Sequence, residues 1–183
     1  KVRDAIQNGT GHVESEKITE GLDTALTPES TLEYPSEGGR ITELKLLNDE
    51  GESVNLLMQG KRYRFRYRLE LEEKAAELRC GMLIKTKRGI EAAGTVLTVR
   101  QQEAGSVDVE FTFDCLLNPG MYFLNCGVTR LEGEEERYIH RLVDALAFRV
   151  LRNEDAPAAL TPAGLVDLHF DGISQDMFGS GEV

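Results

Sequence analysis

Side-chain catalysis needs acids, bases or nucleophiles held close together, and this sequence gathers few of them. Its three histidines, His12, His140 and His169, are isolated from one another, and no Ser, Cys or His stands in a local nucleophile motif. Cys80, Cys115 and Cys126 are odd in number and too widely spaced for a zinc knuckle. Each falls in an apolar, strand-like pattern, so they read as reduced core thiols. Asn48-Asp49-Glu50-Gly51 resembles half a calcium loop, but the later ligands are missing and a turn is the better reading. Glu72-Glu73 and Glu134 to Glu136 sit at turns, where solvated charge is the default. Two carboxylates could still face each other across a groove, so a glycan-modifying enzyme is one reading to be tested. Gly60-Lys61 is followed by Arg62 and lacks the glycine that a phosphate-binding loop requires upstream, so no ATP hydrolysis is expected of this stretch.

The element around which the chain is organised is the run Lys61 to Glu72. Tyr63, Phe65, Tyr67, Leu69 and Leu71 alternate with Arg62, Arg64, Arg66, Arg68 and Glu70. Successive strand residues point to opposite faces, so this is a half-buried strand with an aromatic inner face and a basic outer one. The basic row matches Asp108, Glu110 and Asp114 of another alternating segment, and cross-strand ion pairing accounts for it better than an anionic ligand does. The net charge of -11 argues against nonspecific attraction to nucleic acid or anionic lipid. No apolar run approaches the ~20 residues that a membrane-crossing helix needs.

Strand-like segments recur with turn signals between them: Ile41 to Leu47, Val54 to Met58, Leu78 to Thr86, Ile90 to Val99, Val107 to Phe113, Met121 to Arg130, and Tyr138 to Leu142 joined through Asp144 to Leu146–Leu151. With no convincing long helix, this pattern predicts an all-β fold, an immunoglobulin-like or jelly-roll antiparallel β-sandwich, over residues 40–170. Residues 1–39 are polar, interrupted by Pro28, Pro35 and Gly38-Gly39, and read as a flexible linker or arm. The chain opens at Lys1 rather than Met, and the simplest expectation is a piece of a longer protein. Residues 164–170 read as an extra strand, and residues 171–183 as a disordered tail.

A resemblance accompanies these elements. Gly39-Arg40-Ile41-Thr42, the turn Asn48 to Gly51, and Gly60 to Tyr67 resemble the opening strands of the C-terminal domain of Wzt-type proteins, the ATP-binding subunits of ABC transporters that export O-antigen polysaccharide. Gly81 to Lys85 with Gly89, Asn118-Pro119-Gly120-Met121-Tyr122, Asp144 to Val150 and Gly164-Leu165-Val166 resemble later elements of that family in order, while Gly94-Thr95 matches only in part. The resemblance spans about residues 39 to 170 and rests on the ordered series rather than on any single motif. It implies a non-catalytic domain that binds the exported glycan, often at its non-reducing end. It also implies a homodimer, a transmembrane permease as partner, a cytoplasmic location at the inner membrane, and an upstream ATPase domain that would carry ATP and Mg. No cofactor is implied for the present chain. The tryptophans common in the family are absent, which argues against simple stacking of a sugar on Trp.

If the strands take immunoglobulin-like order, Leu78–Thr86, Met121–Arg130 and Tyr138–Leu142 share a sheet. Its outer face would then carry Arg79, Leu83, Lys85, Phe123, Asn125 and Thr129, with His140 and either Tyr138 or Arg141 from the last strand; all three are kept as candidate carbohydrate-binding residues. Arg79, Lys85, Asn125 and His140 are the expected donors to sugar hydroxyls or to an acidic sugar, and Phe123 is the expected aromatic platform, unless a partner covers it. Leu165, Val166, Leu168 and Phe170 are the expected dimerisation residues. A protein-interaction sandwich without a sugar site is the remaining rival.

Overall fold

The computed structural model describes residues 19–153 and 163–167, and among these the alternating segments form nine strands in two sheets. The strands are β1 (Leu32–Glu33), β2 (Gly39–Leu47), β3 (Leu56–Met58), β4 (Arg62–Leu71), β5 (Ala75–Thr86), β6 (Glu91–Gln102), β7 (Gly105–Asp114), β8 (Gly120–Glu132) and β9 (Glu135–Leu151). The larger sheet runs β1-β9-β8-β5-β6, with β3 pairing in parallel along β9. The smaller sheet is β2-β4-β7. The protein is therefore the all-β sandwich that the pattern predicts. The grouping of β5, β8 and β9 in one sheet also follows the expected order.

The organising strand is β4, at the centre of the smaller sheet. Tyr63, Phe65, Tyr67 and Leu69 are fully buried, and they meet Leu78, Cys80, Leu124, Val128 and Phe148 in the core between the sheets. The outer face of β4 pairs as the charge pattern requires. Arg62 meets Asp114 at 2.8 Å, Arg66 meets Glu110 at 2.7 Å, and Arg68 meets Asp108 at 2.9 Å and Glu43 at 2.7 Å. Asp114, Glu110 and Asp108 are directly opposite their arginines in the β4–β7 register, and Glu43 reaches Arg68 from β2. Solvated pairs of this kind hold little energy, because long side chains lose freedom and water screens the charges. The Arg66→Gln variant should therefore lose less than about 1 kcal/mol in denaturant unfolding, with a smaller loss at high salt.

Asn48 to Gly51 is the expected turn. Asn48 Oδ1 accepts the Glu52 N–H at 2.8 Å, and Gly51 takes a φ of 86°, which a side chain would resist. Cys80, Cys115 and Cys126 are free and buried, and burial pushes their thiols up to about 11, 11 and 12. Among the described residues no cluster of His, Cys, Asp and Glu could hold a metal ion, and no helix is long and apolar enough to cross a membrane.

Residues 19–38 lie against the sandwich. Gly21 bridges to Leu56, and Asn55 Oδ1 accepts the Asp23 N–H at 2.7 Å. β1 adds to the free edge of β9, and the Tyr34 and Glu37 N–H groups donate to the carbonyls of Arg141 and Ile139. At the other end of the chain, Val166 bridges to Leu117, and Asn118 N–H donates to the Leu165 carbonyl. The expectations placed on residues 1–18, on Leu168 and Phe170, and on the 171–183 tail lie outside the described residues.

Candidate functional site

The outer face of the larger sheet carries a groove of about 750 Å³ across β6, β5, β8 and β9. Its shape follows from the register. Gly81 of β5 lies opposite Gly127 of β8, and this row continues to Val96 on one side and Arg141 on the other. Two strand residues without side chains leave a hollow between the flanking rows. One flanking row holds Thr98, Arg79, Thr129 and Tyr138, and the other holds Gly94, Leu83 and Asn125.

The hollow owes nothing to crowding. A Cβ on Gly81 would meet no atom closer than 3.6 Å, and one on Gly127 none closer than 3.6 Å. Gly94 is different, because a Cβ there would come within 2.9 Å of the Met82 carbonyl oxygen. It allows close approach of β6 to β5. The Gly94→Ala variant should lower the thermal midpoint by several degrees, corresponding to roughly 1–3 kcal/mol of backbone displacement.

The last strand supplies the aromatic and cationic wall through an irregularity. Thr129 pairs with Tyr138 and Val128 with His140, so Ile139 is an extra residue on β9. A bulge of this kind turns two successive side chains to one face. Ile139 and His140 both point into the core, and Tyr138 and Arg141 both line the groove. Tyr138 is 57% exposed. The Arg141 guanidinium lies over the rings of Tyr138 and Tyr34, at 5.6 and 5.4 Å from their centres. In the row that holds Tyr138, Glu136 joins Arg79 at 3.2 Å and accepts the Thr129 hydroxyl at 2.6 Å. Asn125 Oδ1 accepts the Asp144 N–H at 2.8 Å, which leaves its amide N–H₂ as the donor available to a ligand.

Six of the expected residues thus come together: Arg79, Leu83, Asn125, Thr129, Tyr138 and Arg141. Three do not. Lys85 is on the same face but outside the groove, held by Asp144 at 2.8 Å. Phe123 is half-buried in the register row of Lys85 and Ala147, beyond the groove, so the exposed aromatic of this wall is Tyr138 instead. His140 corrects the sequence reading most sharply. Simple alternation puts it outside beside Tyr138, but the bulge turns it into the core, where it is 1% exposed and unavailable as a donor to ligand.

His140 ties the two sheets instead. Its Nδ1 accepts the Ile41 N–H at 3.0 Å, and its Nε2 lies 3.3 Å from Glu33. Burial holds its pKa below the ordinary value; Glu33 opposes that shift and Arg40 adds to it. Protonation would put a proton on the nitrogen that Ile41 needs. The stability that His140 contributes is therefore complete above its unfolded pKa of about 6.5 and is lost as pH falls through the lower folded value. Urea titrations at pH 7.5 and 5 should show wild type losing more stability on acidification than the His140→Gln variant.

Glu136, Thr95, Thr98 and the glycine floor were not identifiable from sequence pattern. Glu136 reads as part of a solvated hairpin tip, and only the Thr129–Tyr138 register brings it over the groove. Among the described residues that line the groove, Glu136 is the single carboxylate. The two-carboxylate arrangement of a glycosidase is therefore not assembled there.

The sandwich and its grooved outer sheet define an all-β domain with an open outer face, and comparison with known proteins assigns its family. The family model of the Wzt C-terminal domain matches residues 30–168, and the chain belongs to that family, a non-catalytic domain of ABC-transporter subunits of the Wzt type. The crystal structure of the C-terminal domain of Wzt superposes with a TM-score of 0.70 at 17% identity, covering 81% of this chain and 91% of that one. An alkylpurine DNA glycosylase of Pseudomonas fluorescens bound to abasic-site DNA matches at a TM-score of 0.39 and 14% identity, over 62% of this chain and 30% of that one. A CARDB domain of Pyrococcus furiosus with di-metal ions matches at a TM-score of 0.37 and 12% identity, over 64% of this chain and 93% of that one. A search of curated proteins finds no match.

Proposed function

We propose that this domain binds the O-antigen polysaccharide exported by its transporter, in the groove floored by Gly81 and Gly127, and that it reads the chain's non-reducing end. The observation that carries the reading is the hollow itself. It is open, it is as wide as four strands, and it is walled by an exposed Tyr, two Arg, an Asn amide and Thr hydroxyls. Sugars present alternating C–H faces and hydroxyl edges. An aromatic ring takes the former, and planar guanidinium and amide groups take the latter in pairs. Arg79, Leu83, Asn125, Thr129, Tyr138 and Arg141 are the binding residues in this reading, with Glu136 added as an acceptor.

The wider assignment rests on the family. The domain would work on the cytoplasmic side of the inner membrane, downstream of an ATPase domain that carries ATP and Mg, and would couple glycan recognition to a transmembrane permease. A two-fold transporter calls for a homodimer. Leu165 and Val166, followed in sequence by Leu168 and Phe170, remain our candidates for that contact. Val166 lines an apolar cleft together with residues of β5, β6 and β7, and β6 and β7 are edge strands among the described residues.

The test is calorimetric titration with delipidated O-polysaccharide of the source strain, against the same polymer trimmed at its non-reducing end. Binding to the intact polymer alone supports end recognition. Binding to both makes the repeat unit the ligand. Binding to neither, by a folded protein, removes the carbohydrate reading and favours the protein-interaction rival.

A further inference from the structure

The segment that precedes the sandwich is bonded to the groove at two separate places. At the first, the Tyr34 N–H donates to the Arg141 carbonyl at 3.0 Å, while the Tyr34 ring lies 5.4 Å from the Arg141 guanidinium. At the second, the Ser30 hydroxyl donates to Asp144 Oδ2 at 2.6 Å and the Thr31 hydroxyl to the Asp144 carbonyl at 2.8 Å. Asp144 in turn donates its N–H to Asn125 Oδ1. Both chains of contact end on groove residues, Arg141 and Asn125.

Among the described residues the Arg141 side chain has no ion-pair partner. It lies over two tyrosine rings, and no carboxylate oxygen lies within 4.0 Å of it among the described residues, whereas Arg79 across the groove is held by Glu136 and Glu77. A guanidinium stacked on aromatic faces keeps its N–H edge free and loses side-chain freedom in advance of binding. Tyr34 and Tyr138 therefore do for Arg141 what a carboxylate does for Arg79, without occupying its donors.

The attachment is also slight. β1 is two residues long, and Leu32 and Tyr34 are 50% and 41% exposed. A short edge strand with little buried area opens at low cost, so the contacts of a ligand are large enough to bias its position. Resting on the carbohydrate reading above, we propose that Tyr34 is a positioning residue of the groove, acting through Arg141, and that groove occupancy and docking of residues 30–34 stabilise each other. Coupling of this kind is reciprocal: whatever the docked segment adds to ligand affinity, the ligand adds to docking.

The experiment uses the full chain and the delipidated O-polysaccharide of the source strain. Tyr34→Leu should weaken calorimetric binding about two- to fivefold, the worth of one exposed cation–π contact, while Tyr34→Phe, which keeps the ring, restores it. Saturating polysaccharide should slow amide hydrogen exchange of residues 32–34 in wild type and less so in Tyr34→Leu. If wild type binds but Tyr34→Leu binds equally well and exchange at 32–34 does not respond, the coupling is overturned and the groove assignment stands. If wild type does not bind the polymer, the groove assignment fails and the inference fails with it.

Discussion

The Gly81→Val variant should lose polysaccharide binding by at least about tenfold, or 1.4 kcal/mol, and should keep its fold. The two halves of this expectation have separate physical grounds. Gly81 faces the groove between Val96 and Gly127, and a Cβ there would find its nearest neighbours at ordinary contact distance, 3.6 Å or more. The backbone therefore does not need glycine. A β-branched residue suits a strand better than glycine by roughly 0.5–1 kcal/mol, so unfolding should be unchanged or slightly harder. The ligand, in contrast, meets three new carbon atoms on the floor of its site, in a sheet too stiff to recede. Titration and thermal unfolding on one sample check both halves. Full affinity in a well-folded Gly81→Val protein would move the binding face elsewhere on the sandwich.

Phe65→Ala should have the largest effect on stability, about 3–5 kcal/mol in denaturant titration. Phe65 is fully buried at the middle of β4, its ring 5.7 Å from that of Tyr67. Removing the ring forfeits its transfer energy and leaves a cavity that two rigid sheets cannot close. Domains of this size hold only about 5–15 kcal/mol in all, so the variant sits near the edge of folding. Its neighbour Arg66, one residue on and on the opposite face, is the internal control. A loss at Arg66→Gln as large as at Phe65→Ala would mean that the charged row, and not the aromatic one, holds the sheets.

The contrast within β4 also explains what the sequence discloses. Alternation of apolar and polar residues is a direct imprint of burial, so the sandwich, its strands and even the Arg62–Asp114 and Arg68–Asp108 pairings are legible in one dimension. Sheet membership of β5, β8 and β9 follows from the order of the strands. The groove was legible only in part, because its floor is an absence. Gly81 and Gly127 matter through being opposite each other, and the 45 intervening positions of sequence carry no sign of that. His140 shows the second limit. Strict period-2 reasoning cannot place Tyr138 and Arg141 on one face; the extra residue at Ile139 does so, and it carries His140 inward at the same step. Glu136 is hidden for a related reason, since a hairpin's charges look solvated until its register is known. Lys85 points to the right face, but its charge is satisfied by Asp144, a partner from the bent part of β9.

The three thiols make the domain its own stopwatch. Cys80 and Cys126 lie on the inner side of the two strands whose outer side carries the groove, and Cys115 follows β7 in the opposite sheet. Each is sealed from solvent and weakly acidic, so a thiol reagent reacts with it only while the surrounding strands are apart. Three labelling rates measured on the unaltered protein would thus time the separation of the strands site by site. Equal rates would mean that the sandwich opens as one unit. A faster Cys115 would mean that the smaller sheet peels away first and leaves the grooved one standing.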